Sequence, residues 1–303
     1  MRLAVYIEVR YIGDMKDRGI LRSCGRGAGW LLVMGLVGLP VAWAGPPFQT
    51  DDPDPVAFRH FEMYAFELSD GTTDGGTVLE LPSYEMNYGV VPNVQLHLVV
   101  PVAASFAPHG GAVNYGIGDT ELGAKVRLLK ETKRSPEVGI FPFFELPSGS
   151  AAKGLGVGAA WYRVPLWIQK SFGAWTSYGG GGEAVVEAEG YKDYPFAGWL
   201  VQRQLNKKLT LGGELYGHGA EGAAATSTRA ASMFDVGGIY EFKPGFDLLF
   251  AAGKSVYGQP ETYTYLSLYW TWGPGGPGDT DEPDSGGGGG AKMMSMLKGM
   301  RLR

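Results

Sequence analysis

Charged side chains recur at every second position along several stretches of this 303-residue chain, and that spacing limits the chemistry open to them. Residues 117–130 are the clearest case. Asp119, Glu121, Lys125 and Arg127 share one parity, and Leu122, Ala124, Val126 and Leu128 share the other. A strand alternates its side chains between two faces, so one face carries a mixed acid–base row and the other is apolar. The same reading adds Glu62, Glu85, Gln95 and His97 earlier in the chain, and Glu145, Arg163 and Gln169 in its middle. Gln202, Glu214, Asp235 and Glu241 extend it toward the end. Acids and bases on one wet face either pair across a lumen and stiffen it, or line a water-filled path and select solutes.

Catalysis and metal binding find little in the same residues. Of the four histidines, His60, His97, His109 and His218, none sits in a serine-hydrolase context, and Gly-x-Ser-x-Gly does not occur. Ser148-Gly149-Ser150 reads as a loop. His60 and Glu62 lie two apart on one strand face, a spacing of two ligands that is common by chance, so no metal site is expected there. The glycine clusters at 179–182 and 286–290 lack the Lys-Ser/Thr of a phosphate loop. The expectation is a protein without cofactor, without metal and without enzymatic activity. No basic cluster suggests nucleic acid.

The elements that must position the charged row are ribbons with one apolar and one polar face. Val94, Leu96, Leu98 and Val100 oppose Gln95 and His97, and Leu209, Leu211 and Leu215 oppose Thr210 and Glu214. Twelve such stretches are predicted, near 57–68, 77–89, 94–104, 117–130, 137–146, 156–169, 174–185, 194–205, 209–218, 231–242, 246–255 and 262–272. Long links alternate with tight ones such as Pro92-Asn93 and Pro244-Gly245. That order is expected of a barrel with one end in the periplasm and the other outside, and a Greek-key sandwich gives no reason for it. The stretches also approach the roughly 9–11 residues that a tilted membrane strand needs. The fold class is therefore all-β: a single antiparallel up-and-down transmembrane β-barrel over 57–272, with outer-membrane lipids as its surroundings. Tyr88, Phe141, Tyr162, Trp175, Tyr178, Trp199, Tyr240, Tyr265, Trp270 and Trp272 are assigned to the ends of the apolar face, where aromatic girdles sit.

The flanks carry other signals. Mean hydropathy of −0.07 leaves no room for a bundle of membrane helices, and the apolar run at 29–41 is shorter than the roughly twenty residues of a spanning helix. That run follows Lys16, Arg18, Arg22 and Arg26 and precedes Ala42-Trp43-Ala44, so 1–44 reads as a secretory signal, with Met15 as an alternative start. Its loss removes six basic and three acidic residues, taking the formal charge from −5 to about −8, and takes the single cysteine, Cys24. Residues 45–56 are expected to lie in the periplasm or to enter the lumen as a plug. Residues 273–303 are Gly/Pro/Asp-rich with a short basic end and read as a disordered tail.

Several strings together resemble a family of proteobacterial outer-membrane transporters associated with the meta-pathway of phenol degradation. They include Pro47-Phe48-Gln49-Thr50-Asp51-Asp52-Pro53, Tyr88-Gly89-Val90-Val91-Pro92-Asn93-Val94-Gln95-Leu96, Gly118-Asp119-Thr120-Glu121-Leu122-Gly123 and Glu145-Leu146-Pro147-Ser148-Gly149. Leu166-Trp167-Ile168-Gln169-Lys170 and Phe250-Ala251-Ala252-Gly253 continue the likeness, which covers about 45–272. The resemblance implies a channel or transporter passing small solutes, aromatic or hydrophobic compounds among them, by passive diffusion. A barrel that serves structure, adhesion or docking without transport is the competing expectation. Similar barrels end on an aromatic residue read by the assembly machinery; Trp272 holds that place here, although the chain continues to Arg303.

Overall fold

The computed structural model describes residues 46–72, 76–106, 113–222 and 229–277. The expected leader at 1–44, the start at Met15, His109 and the tail beyond 277 lie outside the described residues. Within them the chain is a closed barrel of twelve antiparallel strands. These are β1 (Phe61–Thr72), β2 (Gly76–Val91), β3 (Val94–Phe106), β4 (Val113–Ile117 and Thr120–Leu129), β5 (Glu137–Ile140 and Phe143–Leu146) and β6 (Trp161–Arg163 and Leu166–Phe172). They continue as β7 (Trp175–Val186), β8 (Tyr194–Gln204), β9 (Leu209–His218), β10 (Ala231–Lys243), β11 (Phe246–Gly258) and β12 (Glu261–Gly273). Each pairs with the next, and β1 meets β12 from Phe61↔Trp272 to Thr72↔Glu261 without a register shift. Closure leaves no sheet edge to satisfy, which a bilayer demands of any strand that crosses it.

Strands β4, β5 and β6 are each interrupted once, and the residues at the breaks explain why. Pro142 and Pro165 have no N–H to give to a ladder. At the break in β4, Gly118 sends its amide to the Pro101 carbonyl instead, at 3.0 Å.

The faces sort as alternation requires. Along β8 the exposure pattern is strictly two-fold, with Tyr194, Phe196 and Leu200 buried and Trp199 and Val201 exposed. Leu96, Leu98, Leu122, Leu166, Leu215, Phe234, Val236 and Leu266 all stand exposed on the outer surface. So broad an apolar belt is foreign to a soluble monomer and is what acyl chains cover. The protein resides in the outer membrane.

Some boundaries move from the sequence reading. β1 begins at Phe61, because Phe58 makes an isolated parallel bridge to Gly89 and Arg59 turns through a φ of 65°. β6 begins at Trp161, because 147–160 fold inward through a short turn at Ala151–Lys153 that buries Leu155. Two links expected to be long are short, since the strands run on: Thr72 faces Gly76, and only Gln259 and Pro260 separate β11 from β12. At the other end the turns are tight, as at Phe172↔Trp175 and Lys243↔Phe246, with Gly173 and Gly245 supplying positive φ. Residues 273–277 are ordered rather than tail: Gly276 and Pro277 pair back on Gly273 and Trp272.

Candidate functional site

Residues 46–60 run along the inner face of the barrel, with 59 at the tight-turn rim and 47 toward the long-loop end. At the rim the Arg59 amide donates to the Gly89 carbonyl (2.7 Å) and the Val56 amide to Gln95 Oε1 (2.9 Å). Further in, Arg127 Nη1 meets Asp54 Oδ1 at 2.6 Å and Glu137 Oε1 at 3.4 Å, while Asn93 Oδ1 accepts from the same guanidinium. Lys125 Nζ lies 3.0 Å from Asp51 and 3.5 Å from Asp52, and over the Phe141 ring. Deeper still, Glu214 accepts from the backbone amides of Gln49 and Thr50, and Gln49 Nε2 donates to Asp235. At the far end Tyr263 donates its hydroxyl to the Pro47 carbonyl at 2.9 Å.

Phe48 joins a buried cluster with Tyr64, Tyr178, Leu200, Leu249 and Tyr265. The wall makes room by omitting side chains: a Cβ on Gly89 would stand 1.9 Å from the Ala57 carbonyl oxygen, and one on Gly139 2.8 Å from that of Pro53. Burial pushes the Asp52 carboxyl well above the ordinary carboxylate range, with Lys125 opposing the shift.

A second polar set spans β12 through β4. Tyr269 donates to Glu62 at 2.6 Å, Tyr64 to the same carboxylate at 3.2 Å, and Asn87 to Glu85 at 2.7 Å. His97 closes it, with Nδ1 2.7 Å from Asn87 Oδ1 and Nε2 2.6 Å from Glu121 Oε1. Burial makes each of these bonds worth more than at a surface, and each broken one costs correspondingly more.

Above this network lies a cavity of about 540 Å³, within the usual range for small-molecule sites. Its lining interleaves apolar and charged side chains: Phe66, Leu68, Val78, Val99, Leu155 and Trp161 stand among Glu80, Asp119, Glu121, Glu145 and Arg163, with Val99 opposite Glu121 and Trp161 opposite Glu145. Asp119 accepts the amides of Gly149 (2.8 Å) and Val157 (2.7 Å), pinning the infolded 147–160 segment over it. Arg163 bonds the Tyr194 hydroxyl at 3.1 Å and is ringed by Phe143, Trp161 and Phe196. Gln169 and Gln202 are buried on the inner face, and Glu241 pairs in register with Asp247 near the tight-turn rim.

The aromatic assignments need correction. Phe141, Tyr178 and Tyr265 are buried on the inner face; they share parity with Glu145, Thr176 and Tyr263, which were the better guide. Trp175, Trp199 and Tyr240 do face outward, as do Trp270 and Trp272 by their register. Around the tight-turn end, Tyr88–Phe61–Trp272 stack at 4.4 and 5.4 Å and Trp270–Phe246–Phe242 at 5.2 and 5.4 Å, with Tyr240 edge-on to Phe242 at 5.4 Å. His60 turns its Nδ1 to the Phe58 carbonyl at 2.8 Å, and Glu62 takes its tyrosines, so the two do not converge. Sequence reasoning missed Asp51, Asp52, Asp54 and Gln49, because irregular chain has no parity to read. It also missed the inward Tyr64, Tyr263 and Tyr269, which strand parity would have found.

No family model matches the chain, and no curated protein matches it. Solved structures do. The COG4313 outer membrane channel from Pseudomonas putida F1 superposes with a TM-score of 0.56 at 13% identity, covering 72% of this chain and 96% of that one. The translocator domain of the autotransporter NalP from Neisseria meningitidis follows at 0.47 and 11%, covering 69% and 88%. The KdgM porin gives 0.46 and 11%, covering 68% and 98%. The fold is that of outer-membrane channels.

Proposed function

We propose that this protein is an outer-membrane channel for small solutes with an aromatic or otherwise hydrophobic body, which cross by passive diffusion. The single observation that carries the reading is the amphipathic cavity inside the wall, where Phe66, Leu68, Val99 and Trp161 stand among Glu121, Glu145 and Arg163. A solute entering from the long-loop end trades water for the apolar side chains while the charged ones among them keep any polar group solvated. Residues 46–57 act as a plug on the path onward, and transport requires them to shift or thin. The likeness to a solved outer-membrane channel supports the same reading, as does the resemblance of these strings to transporters associated with aromatic degradation. Outer-membrane lipids surround the barrel, the assembly machinery reads its last strand at Trp272, and the segment before residue 45 is the export signal.

The ion pairs that hold 46–57 favour a second reading, a closed barrel that serves structure or docking. Liposome swelling separates the two. Wild-type protein accelerates entry of small aromatic solutes over sugars, and removal of 46–56 admits sugars as well. No flux of any solute through either folded protein refutes the channel and leaves the structural barrel.

A further inference from the structure

We propose that the long-loop mouth of the barrel binds one divalent transition-metal ion of the zinc class through His218, Glu221 and Glu261. His218 ends β9 and Glu261 opens β12, with β10 and β11 between them in the wall. Both point inward, and one ligand atom from each of the three residues lies within 4.8 Å of the others.

The hydrogen bonding fixes what this cluster lacks. His218 Nδ1 is 2.8 Å from the Gly219 carbonyl, so that nitrogen carries the proton and donates it. The other nitrogen, Nε2, then turns its lone pair toward Glu261 Oε2, 3.0 Å away. Two lone pairs at that distance require a cation between them. Orientation of a ligand imidazole by a backbone carbonyl on its other nitrogen is the arrangement found around bound metals.

Either a second proton or a metal ion supplies that charge, and Glu261 decides for the metal. The residue is 5% exposed, and its remaining oxygen, Oε1, is enclosed and accepts no hydrogen bond among the described residues. A proton on His218 satisfies only Oε2. An ion chelated by the carboxylate satisfies both oxygens and removes the penalty of a buried, unpaired acceptor. The Tyr194 and Tyr216 rings, 6.2 and 6.4 Å from the imidazole, shield the position from bulk water. One imidazole with two carboxylates suits zinc and its neighbours rather than calcium or magnesium, which take all-oxygen sites. Bound there, the ion ties the β9 loop to β12 over the top of two strands and sets the width of the mouth.

Titration of the detergent-solubilised full barrel with Zn2+, after chelator treatment, tests this directly. Wild type binds one Zn2+ and melts at higher temperature when saturated. His218→Gln and Glu261→Gln each weaken binding by about tenfold or more, and Ca2+ does not compete. Equal Zn2+ binding by wild type and the double variant overturns the proposal, and so does competition by Ca2+. Heat-modifiable gel mobility reports whether each variant folds. Should Glu261→Gln fail to fold, Glu221→Gln in the loop beyond β9 decides: unchanged affinity there also overturns it.

Discussion

Replacing Lys125 by Met should release the segment at 46–57 from the barrel interior, and the structure sets the scale. The Lys125 side chain is 7% exposed and sits 3.0 and 3.5 Å from Asp51 and Asp52, the latter fully buried. Methionine keeps nearly the same length and its contact with Phe141, so packing changes little. What is lost is the countercharge. Stranding one partner of a buried pair costs about 3–5 kcal/mol. At about 1.4 kcal/mol per factor of ten, the seated-to-released ratio falls by about two to three and a half powers of ten. Single-channel recording in planar bilayers reads that ratio as the fraction of time at high conductance. Asp51→Asn with Asp52→Asn, added to Lys125→Met, removes the stranded charges and should restore the wild-type trace. A folded Lys125→Met barrel with wild-type conductance would refute the reasoning, as would a triple variant that stays open.

Other outcomes follow from the same geometry. The seated Asp52 carboxyl is raised above its ordinary value near 3.8, so seating takes up a proton. It is therefore strongest below that value and weakens as pH rises through the elevated one. The open fraction of Lys125→Met should thus climb from acid to neutral pH, and Asp52→Asn should flatten the slope; opening on acidification would reverse the sign. Leu215→Arg, on the outer face nearer the middle of β9, should lower stability by about 2–4 kcal/mol, whereas Leu211→Arg, beside Arg203 near the tight-turn rim, should lose only about 0–1 kcal/mol. Urea unfolding of the two variants in lipid checks this, and equal midpoints would contradict the assigned depths. Glu121→Gln with Glu145→Gln should reduce preference for cations over anions, read as a reversal potential moving toward zero in a salt gradient.

The wall of the barrel was legible because each strand repeats one decision, inside or outside, at every second residue. Leu96, His97 and Leu98 state it locally, and membrane and lumen enforce it with opposite polarities. Aromatic residues blurred it, since a tyrosine such as Tyr178 or Tyr265 suits a wet interior as well as an interface. The path of 46–57 was another matter. Asp51, Asp52 and Asp54 find Lys125 and Arg127 only after β4 has closed into the ring, and no local pattern encodes a partner more than seventy residues away. The His218–Glu261 contact escaped for the same reason, while His60 and Glu62, adjacent in sequence, suggested a convergence that the turn at Arg59 prevents.

The unbroken register between β1 and β12 has a mechanical corollary. Tyr64 lies against Tyr269 and Phe66 against Tyr265 on the inside, while Phe61 lies against Trp272 on the outside. Rings thus clamp both surfaces of the joint where the two ends of the chain meet. A hoop is ordinarily weakest at its weld; here the joint is held by ring contacts on both surfaces in addition to its ladder.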